Sequence, residues 1–299
     1  MIKERSDLEI SRLIGKIKYS ESKTYLYKKK YETIEECKLE SYIFGSFNKE
    51  GYYLIHIHKS NDSILDYKKT FKYNYKGSLI EENNYSLIYG HVRYKFKYNS
   101  KGVLIQCDDC HPDIINSNKS KTTYKYDEKG KIIELNNYNM PNEDLDFTIK
   151  YERNSKGYLI EKSLYLSDGS LERNYVFKYD SKGNLIEKNK YNYEHGSYEH
   201  LQYIYDSQLF LIEKNSYNLD GFLLEKIIYK RDNIGNLIEK ISHDSYGKII
   251  EKFNYKYEFD DKNNWIIKFI IQRGKRKKVE IRKIVYYGDK DENDYPDWD

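Results

Sequence analysis

Proline and cysteine are nearly missing from this chain, and alanine is missing altogether. Among 299 residues there are three prolines, three cysteines and no alanine. Few prolines argue against Pro-rich linkers, and the lack of alanine argues against long helices. Three cysteines do not make a disulfide framework in so long a chain. No apolar run reaches the length of a membrane-crossing helix. No apolar stretch follows Met1–Ser6, so no signal peptide is visible. The expectations that follow are no membrane span and a cytoplasmic location, or an extracytoplasmic one if a leader has been removed. The hydrophobic fraction is only 38%, against 33% charged, which suits a thin, much-exposed sheet better than a globule. The net charge of +4 is too mild to point to nucleic acid.

What the chain does have is tyrosine, 35 of them, and a repeat. Tyrosine buries a ring while keeping a wet hydroxyl, so it suits half-buried surfaces. The stretch from Phe177 to Tyr191 alternates, breaks at Asp180-Ser181-Lys182-Gly183, and alternates again. That pattern predicts a β-hairpin with a type I turn and a left-handed glycine closing it. It recurs at Gly77, Gly102, Gly130, Gly157 and Gly235, about 26 residues apart, with degenerate copies at Leu209 and Asn263. Asn263 tolerates the left-handed region. Leu209 does not, so its turn must change type or carry a cost of about 1–2 kcal/mol. A second, looser kind of turn is expected at Ser167-Asp168-Gly169, Leu219-Asp220-Gly221 and Ser245-Tyr246-Gly247.

The predicted fold is therefore all-β: a long antiparallel meander of repeated hairpins, forming a curled single sheet or an open, barrel-like solenoid. Residues 1–70 read as an N-terminal capping region with a short helix (1–15) and irregular strands. Residues 71–287 read as the repeat array, and 288–299 as an acidic, disordered tail.

Alternation assigns faces. In the Gly183 hairpin, Phe177, Tyr179, Leu185, Glu187, Asn189 and Tyr191 are expected on one side. Val176, Lys178, Ile186, Lys188 and Lys190 are expected on the other. Superposing the units gives ladders of leucine, glutamate and tyrosine. The candidate ligand-binding residues are Tyr138, Tyr165, Tyr191 and Tyr217 beside Glu161, Glu187 and Glu213. Tyrosine offers stacking area, and glutamate offers acceptors.

The run Tyr179-Asp180-Ser181-Lys182-Gly183-Asn184-Leu185-Ile186-Glu187 resembles the YD or RHS-like repeats, over about two thirds of the chain. The resemblance implies curved β-hairpin sheets, and an association with cell-surface recognition, carbohydrate binding and toxin encapsulation. Residues 264–287 also look like the closing unit of small bacterial repeat proteins. The chain is too short for the complete shell of the large toxins.

Other candidates carry less. Cys107-Asp108-Asp109-Cys110-His111 spells a haem-attachment pattern, but residues three apart on a strand face opposite sides, so neither haem nor metal is expected. His56 and His58 share a strand face without a third ligand. The basic run Arg273–Lys278 falls where a hairpin turn belongs. Equivalent glutamates lie about 9.6 Å apart, at the upper limit of the spacing of inverting glycosidases, yet a ladder repeated in every unit has no reason to make one active site. The expected function is a non-catalytic binding or scaffold protein, with no cofactor, whose Tyr/Glu face engages a protein or a carbohydrate. The alternatives are an adaptor or immunity partner of an RHS-type toxin system, and a glycan-active enzyme.

Overall fold

The turn at Asp180 shows how the repeat is built. The Gly183 N–H donates to the Asp180 carbonyl (3.2 Å), and the Asp180 N–H donates to the Asn184 carbonyl (3.0 Å). The Asp180 carboxylate accepts from the N–H groups of Lys182 (2.9 Å) and Asn184 (2.8 Å). Gly183 sits at φ +89°. This is the expected type I turn with a glycine bulge, and the aspartate supplies two of its bonds. The same bonds recur at Asn74, Asn99, Asp127, Asn154, Asp206, Asp232 and Asp260. The second kind of turn is not looser: Asn218–Gly221 and Asp244–Gly247 close with the same backbone bonds. Leu209 keeps the turn type and takes φ +68°, and Asn263 takes φ +63°.

The computed structural model describes residues 13–30, 34–60, 64–88, 90–110 and 119–288. The helix expected over residues 1–15 falls mostly outside them, as does the acidic tail from Asp289. Twenty strands follow in order. The first six are β1 (Ile17–Lys30), β2 (Ile34–Phe47), β3 (Tyr53–Ser60), β4 (Ile64–Tyr73), β5 (Leu79–Ser86) and β6 (Gly90–Tyr98). Then come β7 (Leu104–Cys110), β8 (Lys119–Tyr126), β9 (Ile132–Met140), β10 (Asp144–Arg153), β11 (Leu159–Leu166), β12 (Leu171–Tyr179) and β13 (Leu185–Asn192). The last are β14 (Ser197–Tyr205), β15 (Leu211–Tyr217), β16 (Leu223–Arg231), β17 (Leu237–Asp244), β18 (Ile249–Phe259), β19 (Trp265–Gln272) and β20 (Lys275–Tyr286).

Each strand hydrogen-bonds to the strands before and after it, antiparallel wherever the register is defined, as a meander requires. The ladder does not end there. β1 also pairs with β20, from Ile17 opposite Tyr286 to Leu26 opposite Lys278. The twenty strands therefore form a closed, barrel-type ring, which corrects the expectation of an open curled sheet or solenoid. Closure removes the unpaired N–H and C=O groups of an edge strand, which in an open sheet invite aggregation. It also overturns the expectation of no membrane span. That expectation rested on the lack of an apolar helix, and among the described residues no helix is long and apolar enough to cross. A closed strand ring is the strand arrangement that satisfies every backbone group inside a bilayer, so the missing helix excludes nothing.

The chain divides into two compact units, residues 1–93 with 255–299, and residues 94–254. In the first, Leu13, Ile17, Phe47 and Tyr286 form one apolar cluster. Tyr19, Tyr42, Phe44, Ile57 and Val285 form another. The strands here are long, 14 residues in β1 and in β2, so they supply the apolar contact that the shorter repeats lack. Asn264, 2% exposed, ties the two ends of the unit. Its amide donates to the Ile14 carbonyl (2.7 Å) and the Tyr286 hydroxyl (2.8 Å) and accepts from the Ile14 N–H (2.7 Å). The second unit carries most of the regular repeats.

Register corrects one face assignment. Lys178 lies opposite Glu187 and Val176 opposite Asn189, while Phe177 lies opposite Lys188. Directly opposed residues share a face. Lys178 and Val176 therefore join the glutamate face, and Phe177 joins Lys188 on the other. The cause is the bulge: the register shifts between Lys178 and Tyr179, so Leu185 opposes Tyr179 and Ile186 is the extra residue. Counting through the turn without the bulge inverts the incoming strand. The second face is consequently aromatic as well as basic, with Lys162 and Lys188 within 5.8 Å and 5.6 Å of the Tyr175 ring centre.

Candidate binding face

On the glutamate face most repeats assemble a lysine, a glutamate and an amide. Lys178 Nζ lies 2.9 Å from the Glu187 carboxylate, and Asn189 Nδ2 donates to it at 2.9 Å. Lys226 and Asn215 hold Glu213 (2.7 and 2.9 Å). Lys125 and Asn136 hold Glu134 (2.7 and 2.8 Å), and Lys72 and Asn83 hold Glu81 (2.8 and 3.0 Å). The asparagine is two residues beyond the glutamate, so alternation puts both on one side. Asn83, Asn136, Asn189 and Asn215 are buried, and the carboxylate gives each buried Nδ2 an acceptor that burial would otherwise deny it. Glu239 lacks the asparagine and instead takes Lys230 and Lys252, both at 2.6 Å, with Asn254 at 3.3 Å. In one repeat the order is exchanged: Gln106 donates to Asp108 (2.5 Å), and Lys97 pairs with Asp108 (2.7 Å). Carboxylate and amide have swapped places and the lysine has followed the charge.

These partners set the titration. Hydrogen bonds from Lys72 and Asn83 hold Glu81 below its usual range, and those from Lys125 and Asn136 do the same for Glu134. At Glu187 and Glu213 burial pushes the carboxyl up, but the bonds from lysine and asparagine outweigh it and both are lowered. Hydrogen bonds from Lys230 and Lys252 bring Glu239 down to about 2. Carboxylates held this way stay ionised acceptors, whereas a general acid needs its pKa raised. Glu161 differs: it lies opposite Glu152 and accepts from the Ser163 hydroxyl (2.9 Å).

The four candidate tyrosines fall into two groups. Tyr191 and Tyr217 belong to a run of rings across β13, β14 and β15. Tyr191 lies 4.8 Å from Tyr198, Tyr198 lies 6.4 Å from His200, and His200 lies 5.1 Å from Tyr217, centre to centre. The Tyr198 hydroxyl donates to Asn189 (3.0 Å) and that of Tyr217 to Gln202 (3.0 Å). His200 Nε2 stands 3.8 Å from Glu187. Tyr138 and Tyr165 stand apart from this run, each beside a lysine: Lys121 at 5.8 Å and Lys150 at 5.1 Å from the ring centres. Tyr198 and His200 escape a reading that aligns only the strands following the Asp-x-x-Gly turns. The signal was the short hairpin Asn192–Ser197, which places Tyr198 opposite Tyr191.

The remaining candidates lie elsewhere. Cys107 is buried on the second face, opposite Thr122; the side chain of Cys110 and all of His111 are outside the described residues. His56 stacks on Tyr53 (4.7 Å), and His58 pairs with Asp66 (2.7 Å). Arg273 and Gly274, both at positive φ, form the two-residue turn between β19 and β20. Lys278 at the end of the basic run pairs with Glu40.

No protein-family model matches the chain. No curated protein matches it either. Among solved structures it is similar to a porin-like protein from Bacteroides uniformis, at 12% identity over 90% of this chain and 98% of that one, with a TM-score of 0.38. A porin-like protein from Bacteroides vulgatus is similar at 11% identity, 89% and 98% coverage, and a TM-score of 0.28. The Photorhabdus luminescens Tc holotoxin pore is similar at 11% identity over 80% of this chain and 19% of that one, with a TM-score of 0.26. What these share with the present chain is a β-rich fold.

Proposed function

We propose that this chain is a non-catalytic binding or scaffold protein, and that the tyrosine, glutamate and asparagine face of residues 94–254 engages a protein or a glycan. The observation that carries this reading is the run Tyr191–Tyr198–His200–Tyr217 beside Glu187 and Asn189. Half-buried rings give stacking area at small entropic cost, and the fixed acceptors give direction. The lowered carboxyls support binding over catalysis, because both members of a glycosidase pair cannot stay ionised when one must donate a proton. The YD or RHS-like motif supports the narrower reading that the partner belongs to an RHS-type toxin system, with this chain as its adaptor or immunity partner.

The test pairs Tyr191→Ala with Tyr217→Ala. Circular dichroism first establishes that the fold survives. Binding is then measured to a glycan array and to proteins captured by the unaltered chain. The reading expects at least a roughly tenfold loss of affinity, as for removal of aromatic anchors. Unchanged affinity in a folded double variant places recognition elsewhere.

A further inference from the structure

The residue that follows each turn glycine decides what lies between successive turns. Tyr158 follows Gly157; its ring stacks on Tyr179 (5.0 Å, 22°) and covers Gly183 of the next turn. Phe210 follows Leu209 and covers Gly235, its ring atoms 2.7 Å from where a Cβ would stand. Between these two filled positions comes Asn184. Its short amide turns back to its own turn and donates to Asp180 (2.8 Å), so no ring enters the gap before the next turn. A cavity of about 280 Å³ lies there, between the turns at Asp180 and Asp206. Its lining includes Asn184, Ile186, Tyr203, Tyr205 and Leu209.

Tyr205 occupies in this repeat the place of Tyr179 in the one before, four residues ahead of the residue at positive φ. Its hydroxyl donates to the Leu185 carbonyl (2.9 Å), which fixes the ring. Where the filled gaps have glycine, this one has Leu209 at φ +68°, an apolar wall kept at a conformational cost. A platform ring, an apolar wall and a missing ring coincide at one position.

We propose that this gap is a socket for an aromatic side chain of a partner protein, a tyrosine or phenylalanine seated on Tyr205 as Tyr158 is seated on Tyr179. The occupant's chemistry is read from the same molecule, which fills the neighbouring gaps with a tyrosine and a phenylalanine. The socket does not depend on the tyrosine–glutamate face, and neither test bears on the other.

The test uses the full chain with isotope-labelled isoleucine and leucine methyl groups, titrated with N-acetyl-tyrosinamide and, separately, with methyl β-glucoside. Ring-current upfield shifts at Ile186 and Leu209 are expected with the aromatic probe alone. Asn184→Tyr combined with Leu209→Gly recreates the Tyr158–Gly183 arrangement and fills the gap from within. In that variant the Ile186 response should weaken at least about tenfold in apparent affinity relative to Leu209→Gly alone, which loses the wall but keeps the Tyr205 platform and the open gap. Should the filled variant not fold, Tyr205→Leu removes the platform and should abolish the response. No shift in the parent, a response to the glucoside instead, or an equal response in the filled or platform-less variant overturns the proposal.

Discussion

The ring of Tyr158 lies across the α-carbon of Gly183, one turn ahead in the ladder, so closely that a Cβ there would run into the tyrosine hydroxyl and stand 2.8 Å from Cζ. Phe210 stands in the same relation to Gly235. The two turns that have dispensed with glycine, at Leu209 and Asn263, follow Asn184 and Asn236, where no ring needs the space. Glycine in these repeats thus answers two demands, a left-handed backbone everywhere and ring clearance at some turns. The two are separable by mutation. Gly130 is at φ +75° with open space around it, so Gly130→Ala should cost only the backbone term, about 1–2 kcal/mol. Gly183→Ala should cost about 1 kcal/mol more, because the Tyr158 ring must move off Tyr179. Urea unfolding of the two variants compares them directly, and equal costs would mean the ring contact is without consequence.

Leu209 offers the reverse experiment. It holds φ +68° with its side chain 46% exposed, so little packing offsets the backbone cost. Leu209→Gly should raise stability by up to about 1 kcal/mol, the relief of the left-handed strain less the added freedom of the unfolded chain. A lower midpoint in the glycine variant would show that the leucine's contacts outweigh its conformation.

The exchanged repeat at Gln106 and Asp108 predicts non-additivity. Gln106→Glu alone sets two carboxylates on one side of β7 with Lys97 between them, and should cost up to about 1 kcal/mol. Asp108→Asn alone leaves Lys97 without its carboxylate. Both changes together rebuild the lysine–glutamate–asparagine order of the other repeats and should recover most of the loss. A double-mutant cycle from thermal or urea unfolding measures the coupling, and strictly additive costs would show that the three side chains do not act as a unit.

Much of this was legible in the sequence because the signals are local. Asp180 and Gly183 are three residues apart, and their turn is set by side-chain hydrogen bonds and φ preference alone. Glu187, Asn189 and Tyr191 share one strand, so alternation suffices to place them together. The reading failed where a second strand was needed. Lys178 lies on the face opposite to the one alternation predicts because the extra residue Ile186 reverses parity, and this second bulge, unlike the glycine bulge of the turn, leaves no residue-type signature. Tyr198 and His200 were missed because their relation to Tyr191 and Tyr217 runs across strand pairs. Closure was invisible for the same reason at the largest scale: Ile17 and Tyr286 are partners from opposite ends of the chain, and no local pattern announces it.

The central claim is that the glutamate ladder orders a surface for binding and does not supply an acid to a reaction. The most direct test is a carboxyl-carbon NMR titration of the ladder in the full chain. Glu81, Glu134, Glu187 and Glu213 should each titrate below the ordinary 4.5, and Glu239, held by Lys230 and Lys252, should titrate lowest, near 2. Depressed carboxyls stabilise the fold above their unfolded pKa and lose that contribution as the pH falls through the folded one. The loss owed to Glu239 should therefore run from about pH 4.5 down to about 2 and be missing in Glu239→Gln. One ladder carboxyl titrating well above 4.5, as a proton donor at neutral pH must, would contradict the account.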